Sequence, residues 1–133
     1  AEVGDHDINI TFEQALDINI SINAKNGVAI NYDNLGTTCV HLGDYEQALQ
    51  YHLQSLKIQK EIGNKMGLAK TLNNLGGVYL NDEDYVNSFD SYFKAMEIFQ
   101  EIGDKKGILV ALYSLSFYHL TEGTAELAKG NKI

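Results

Sequence analysis

The sequence predicts an all-α fold, a solenoid of antiparallel helix pairs, and three observations carry that prediction. The segment Glu61-Ile62-Gly63-Asn64-Lys65-Met66-Gly67 returns forty residues later as Glu101-Ile102-Gly103-Asp104-Lys105-Lys106-Gly107. Residues 27 to 66 laid on 67 to 106 without a gap share twelve identical positions, where average composition would give roughly two or three. Within each unit the apolar residues recur at steps of three and four in two stretches, the spacing of one helix face. A period of that length signifies a stacked supersecondary unit, here a helix A followed by a helix B.

The units follow in order along one domain, 1–133. Residues 1–25 read as a partial repeat that ends in a helix B, because Phe12, Ala15, Leu16, Ile18 and Ile22 stand where Tyr92, Ala95, Met96, Ile98 and Ile102 stand in the later copy. Taken alone, Ile8-Asn9-Ile10-Thr11-Phe12 and Ile18-Asn19-Ile20-Ser21-Ile22 alternate with a two-residue period and are rich in β-branched residues, a strand pattern. Register with the repeat is the longer-range signal and places a helix there. Repeat 1 covers 26–62, repeat 2 covers 63–102, and repeat 3, incomplete, covers 103–133.

Repeat 2 shows the template best. Met66, Ala69, Leu72, Leu75, Tyr79 and Leu80 form the apolar face of helix A, and Tyr85, Phe89, Tyr92, Phe93, Met96, Phe99 and Ile102 that of helix B. In repeat 1 Gly27, Tyr32, Leu35, Gly36 and Val40 take the places of Gly67, Leu72, Leu75, Gly76 and Leu80; in repeat 3 Gly107, Leu112, Leu115, Ser116 and Leu120 do so. Gly123-Thr124-Ala125-Glu126 falls where Gly43-Asp44-Tyr45-Glu46 falls and should open a third helix B.

The punctuation agrees. Asp44 with Gln47 three residues on is a capping-box arrangement, and Asp84 repeats the cap. Gly63 and Gly103 follow Ile62 and Ile102, where a left-handed glycine closes a helix. Asn64 and Asp104 can then cap the next helix. Turns this short force antiparallel neighbours. The chain begins at Ala1, and both ends fall inside repeats without a polar capping helix. The expectation is a fragment of a longer solenoid, whose open ends could self-associate with a second copy.

Composition narrows the function. With 44% hydrophobic and 21% charged residues the chain is globular, and twelve glycines without a proline suit helices closed by glycine. A net charge of -8 speaks against nucleic acid and anionic lipid and favours a basic partner. One cysteine, Cys39, permits no internal disulfide and suits a reducing, cytoplasmic location. No window is apolar enough to cross a bilayer.

Tyr32-Asp33-Asn34-Leu35-Gly36 and Leu72-Asn73-Asn74-Leu75-Gly76-Gly77-Val78-Tyr79 resemble the opening of a tetratricopeptide repeat. Gly43-Asp44-Tyr45 and Asp84-Tyr85, with small Ala48, Ser55, Ser88 and Ala95, resemble its second half. The forty-residue length is similar to the subclass of Pins-type polarity adaptors, kinesin light chains and bacterial sensory proteins. Departures are Cys39, Ser116 and His119 at pattern positions, and Lys60 and Gln100 where many repeats carry a terminal proline. The resemblance implies a right-handed superhelix whose helices A line a concave groove that binds a peptide or protein segment. It also implies where the groove lies: Ile30, Asp33, Thr37 and His41, then Lys70, Asn73, Gly77 and Asn81, then Val110, Tyr113, Phe117 and Thr121. The family's carboxylate clamp is not expected, since Asp33 and Thr37 occupy its lysine and asparagine positions while only Lys70 and Asn74 match later ones.

Among the candidates, Asn34, Asn73 and Asn74 offer both a donor and an acceptor for a peptide backbone. For Asn34 and Asn74, capping or cross-linking adjacent helices is the equal alternative. Tyr113 and Phe117 lie four apart and form an apolar anchor, or else pack on chain beyond residue 133. Catalytic and metal chemistry find no constellation. His52 takes the core position of Tyr92, His41 and His119 are two repeats apart, and Cys39 stands where Tyr79 does and reads as a small buried hydrophobe. Asn81-Asp82-Glu83-Asp84 lacks a calcium-loop spacing, and Gly76-Gly77 serves helix packing. The expectation is a noncatalytic, cofactor-free interaction module; the alternative is the sensory region of a larger signalling protein.

Overall fold

Short glycine turns and side-chain caps determine the path of the chain. The computed structural model describes residues 11–130, the side chain of Phe12 excepted. Five helices follow one another: α1 (Phe12–His41), α2 (Tyr45–Glu61), α3 (Lys65–Asn81), α4 (Tyr85–Ile102) and α5 (Lys105–Ala128). Each packs on the next, and α3 also touches α1 and α5. That arrangement puts α1, α3 and α5 in one layer and α2 and α4 in the other, the architecture of a helical solenoid.

Three expected caps form. The Gln47 N–H donates to Asp44 Oδ1 at 3.1 Å, the Gly67 N–H to Asn64 Oδ1 at 2.9 Å, and the Asn87 N–H to Asp84 Oδ1 at 3.2 Å. Each satisfies a helix-start donor that would otherwise lack a partner. Asp104 is the N-cap residue of α5 but its side chain makes no capping bond, contrary to expectation. Gly63 and Gly103 take the left-handed conformation at φ 68° and 71°. A full capping box that sequence reading overlooked starts α1, with Thr11 and Gln14 bonded reciprocally at 3.0 and 3.1 Å.

Two expectations about helix ends need correction. The break expected near residue 25 is absent, and α1 runs unbroken for 30 residues. Asn23-Ala24 stands where Gly63-Asn64 and Gly103-Asp104 make the later turns. Alanine has no side-chain acceptor to cap a new helix and is the best helix former, so the helix continues. Residues 18–22 are thereby helical rather than strand; Ile8–Ile10 lie outside the described residues. Nor does Gly123 open a third helix B, since α5 continues to Ala128. The hydroxyls of Thr121 and Thr124 donate to the carbonyls of Phe117 and Leu120, at 2.9 and 2.8 Å, inside one continuous helix.

The core forms where large and small residues interlock. Ala69, Ala95, Met96, Phe99 and Ala111 make one cluster across α3, α4 and α5; Leu80, Tyr92 and Tyr118 make a second. Ala48, Ser55, Ser88 and Ala95, the small residues of helix B, are all fully buried. Gly36 and Gly76 allow close approaches within a repeat: a Cβ there would lie 2.6 Å from His52 and 2.5 Å from Tyr92. Ser88 Oγ donates to the Gly76 carbonyl at 2.8 Å, which ties the two helices of repeat 2 together at that contact. Cys39 is half-buried rather than buried. Among the described residues no helix is long and apolar enough to cross a membrane.

Candidate partner-binding groove

The inner layer of α1, α3 and α5 carries two open depressions side by side on α3. One, of about 430 Å³, is lined by Met66, Lys70, Asn73 and Asn74 of α3, by Phe99 of α4, and by Asp104, Lys106, Gly107 and Val110 at the start of α5. The other, of about 250 Å³, is lined by Thr37 and Val40 of α1, His52 of α2, Tyr92 of α4, and Asn73, Asn74, Gly77, Val78 and Asn81 of α3. Asn73 and Asn74 border both. The helical rise brings residues 70, 73, 74, 77 and 81 onto one stripe of α3, which is why the two depressions share a wall.

Of the residues singled out in the sequence, the structure therefore gathers Thr37, Lys70, Asn73, Asn74 and Asn81. Asn34 and His41 are exposed on α1 but line neither depression. Tyr113 and Phe117 are 69% and 60% exposed on α5 and line neither depression, although Gly107 and Val110 of the same helix line the first. Asp33 is the correction. It was expected as a free groove position, but its carboxylate accepts from His52 Nδ1 at 2.9 Å and from Thr71 Oγ1 at 2.7 Å. Buried polar groups on α2 and α3 need an acceptor, and Asp33 supplies both lone-pair sets. Its oxygens are committed to holding α1, α2 and α3 together.

Chemically the floor is neutral and the rim is charged. Asn73 Oδ1 is buried without a hydrogen-bond partner, an arrangement that costs about 1–3 kcal/mol unless a ligand supplies a donor. Lys70 makes no ion pair among the described residues, and Lys106 stands across the hollow beside Asp104. The Tyr92 hydroxyl is pushed up to about 12 by burial, so at neutral pH it is a neutral phenol. Sequence reading missed Met66, Asp104 and Lys106 as lining residues. They lie at the N-terminal ends of α3 and α5, where the capping role was legible while the position against the groove was not.

A larger cavity, of about 600 Å³, opens on the opposite side between α2 and α4. Its lining includes Leu53, Leu56, Leu68, Leu72 and Leu75, and three of its five charged residues are paired: Lys94 with Asp90 at 3.0 Å, Glu101 with Lys65. The inner depressions, with an orphaned amide oxygen and a free ammonium, are the better candidate for a polar ligand.

A stack of consecutive antiparallel helix pairs defines the helical-repeat solenoid class. The family model described as tetratricopeptide repeat matches residues 10–61. That span covers α1 and α2, and the forty-residue copies carry the same unit on through α3 and α4. Over residues 10–61 the chain is thus similar to the tetratricopeptide repeat family. Repeats of this family are in general protein-interaction modules and typically noncatalytic. No curated protein matches the chain.

Proposed function

We propose that this chain binds a segment of a partner protein along α3, with the backbone of that segment held by Asn73 and Asn74 and an acidic side chain or carbonyl set against Lys70 and Lys106. The observation that carries the reading is the buried, partnerless Oδ1 of Asn73 at the seam of the two depressions. A backbone N–H from a docked segment would satisfy it, and recognition through main-chain groups is tolerant of side-chain sequence. The overall charge of -8 attracts basic segments at long range, whereas the two lysines favour an anionic group at the contact itself. A segment of mixed charge meets both conditions.

The test is peptide selection on the immobilised protein followed by mutation. Asn73→Ala with Asn74→Ala should weaken selected peptides by about tenfold or more, equivalent to about 1.4 kcal/mol, with an unchanged helical circular dichroism spectrum. Peptides that bind the double variant as well as the parent, but are lost with Tyr113→Ala and Phe117→Ala, would move the site to α5.

A further inference from the structure

Between α2 and α3 the chain shows how a helix B covers the next helix A. Gln59 seats against Gly67, where a Cβ would meet its amide within 2.4 Å, and Ser55 Oγ lies 3.2 Å from Thr71 Oγ1. Both pairs are centred on Gly63, the glycine of the turn. Moved back by the forty-residue period, the same pairs become Asn19 with Gly27 and Ala15 with Asn31, centred on Asn23.

In α1 that cover is missing. Gly27 has no atom within 4 Å of the place where its Cβ would stand, although Gly67 and Gly107 both receive a side chain there. Leu35 is 46% exposed, against 2% for its counterpart Leu75. The segment whose register would cover this face, with exposed Leu16, Ile18 and Ile22, extends straight out as the first half of α1 and cannot reach it. A continuous helix supplies another route. Two straight helices paired antiparallel about a two-fold axis make every contact that a turn at the same centre would make, with the partner's residues in place of its own.

We propose that two copies of this chain associate in this way, their α1 helices crossing antiparallel beside Asn23, so that residues 15–22 of each cover Gly27, Asn31 and Leu35 of the other. The interface is self-complementary and closes with two copies. The face of α5 that no helix B covers among the described residues is a poorer seat for the same segment. Ser116 stands there in place of Gly36 and Gly76, and a Cβ at those positions lies 2.5 to 2.6 Å from the helix B residue. The proposal is independent of the groove, whose residues Lys70, Asn73 and Asn74 lie on α3.

Light scattering on the eluting 133-residue chain at micromolar concentration should give twice the monomer mass of 14.8 kDa. In a Cys39→Ala background, Asn23→Cys should be joined to a covalent dimer by a short bis-maleimide. Lys25→Cys, roughly 200° around the helix, should be joined at least tenfold more slowly. A monomeric mass, an open series of larger species, or equal cross-linking at the two positions would each overturn the proposal. The mass of the parent chain decides the matter even where a cysteine variant fails to fold.

Discussion

Asp33 Oδ1 lies 2.9 Å from His52 Nδ1, and the histidine is 1% exposed. Because a carboxylate only accepts, the imidazole proton sits on Nδ1, and the other Asp33 oxygen takes the Thr71 hydroxyl. One carboxylate thus spans three helices. Asp33→Ala strands the buried His52 N–H and leaves the Thr71 hydroxyl only Ser55 Oγ at 3.2 Å, and should cost about 1–3 kcal/mol, read as a lower urea midpoint with an unchanged slope. Asp33→Asn keeps an acceptor and should cost less. If both variants matched the parent, the contact would contribute nothing.

Glu83 holds φ at 61° in the turn where the preceding repeat has Gly43 at 77°. A side chain in the left-handed region is strained, and glycine is not. Glu83→Gly should therefore stabilise the protein by about 1 kcal/mol, a rise of about 4 °C in the melting midpoint. A fall in the midpoint would show that Glu83 makes a compensating contact.

Gly76 faces Tyr92 closely enough that an added methyl would lie 2.5 Å from the ring. The ring has little room to withdraw, since Leu80 and Tyr118 pack in the same cluster. Gly76→Ala should cost about 1–3 kcal/mol despite the higher helix propensity of alanine. Paired with Tyr92→Leu, the same substitution should cost much less, and a double-mutant cycle in urea measures the difference.

Burial pushes the Tyr92 and Tyr118 hydroxyls up to about 12, with the hydrogen bond from Tyr118 to Glu122 at 2.6 Å adding to the second shift. The unfolded chain releases these protons near pH 10, so the folded state binds more protons above that value. Stability is then fully present below pH 10 and falls between pH 10 and 12. Across that range the melting midpoint of the parent should fall relative to that of Tyr92→Phe, which has no such proton to lose. Parallel curves would exclude Tyr92 as a source of the loss.

The helix turns were readable because their chemistry is local. Gly63, Gly103, Asn64 and Asp84 act on residues three or four away, so their roles follow from neighbours in the chain. The same locality explains why Ala24 and Asn23 mattered more than the forty-residue register: with no glycine and no cap, the first helix had nothing to stop it. The groove was partly readable. Lys70, Asn73 and Asn74 share a helix face by spacing alone, whereas Met66 and Lys106 join them only because α5 packs beside the turn.

The sequence by itself determined the repeat, its period, the small residues buried between helices and the likeness to a repeat family. Each of these is a periodic pattern in one chain, and periodicity survives without knowing which helix faces which. Tertiary packing alone decided that Asp33 would be consumed by His52 and Thr71 while Asn73, one position short of a forty-residue shift from Asn34, would keep a buried oxygen without a partner. Whether a polar side chain is structural or free depends on what lies within about 3 Å of it, and residues 19 and 38 positions away in the chain supply that answer.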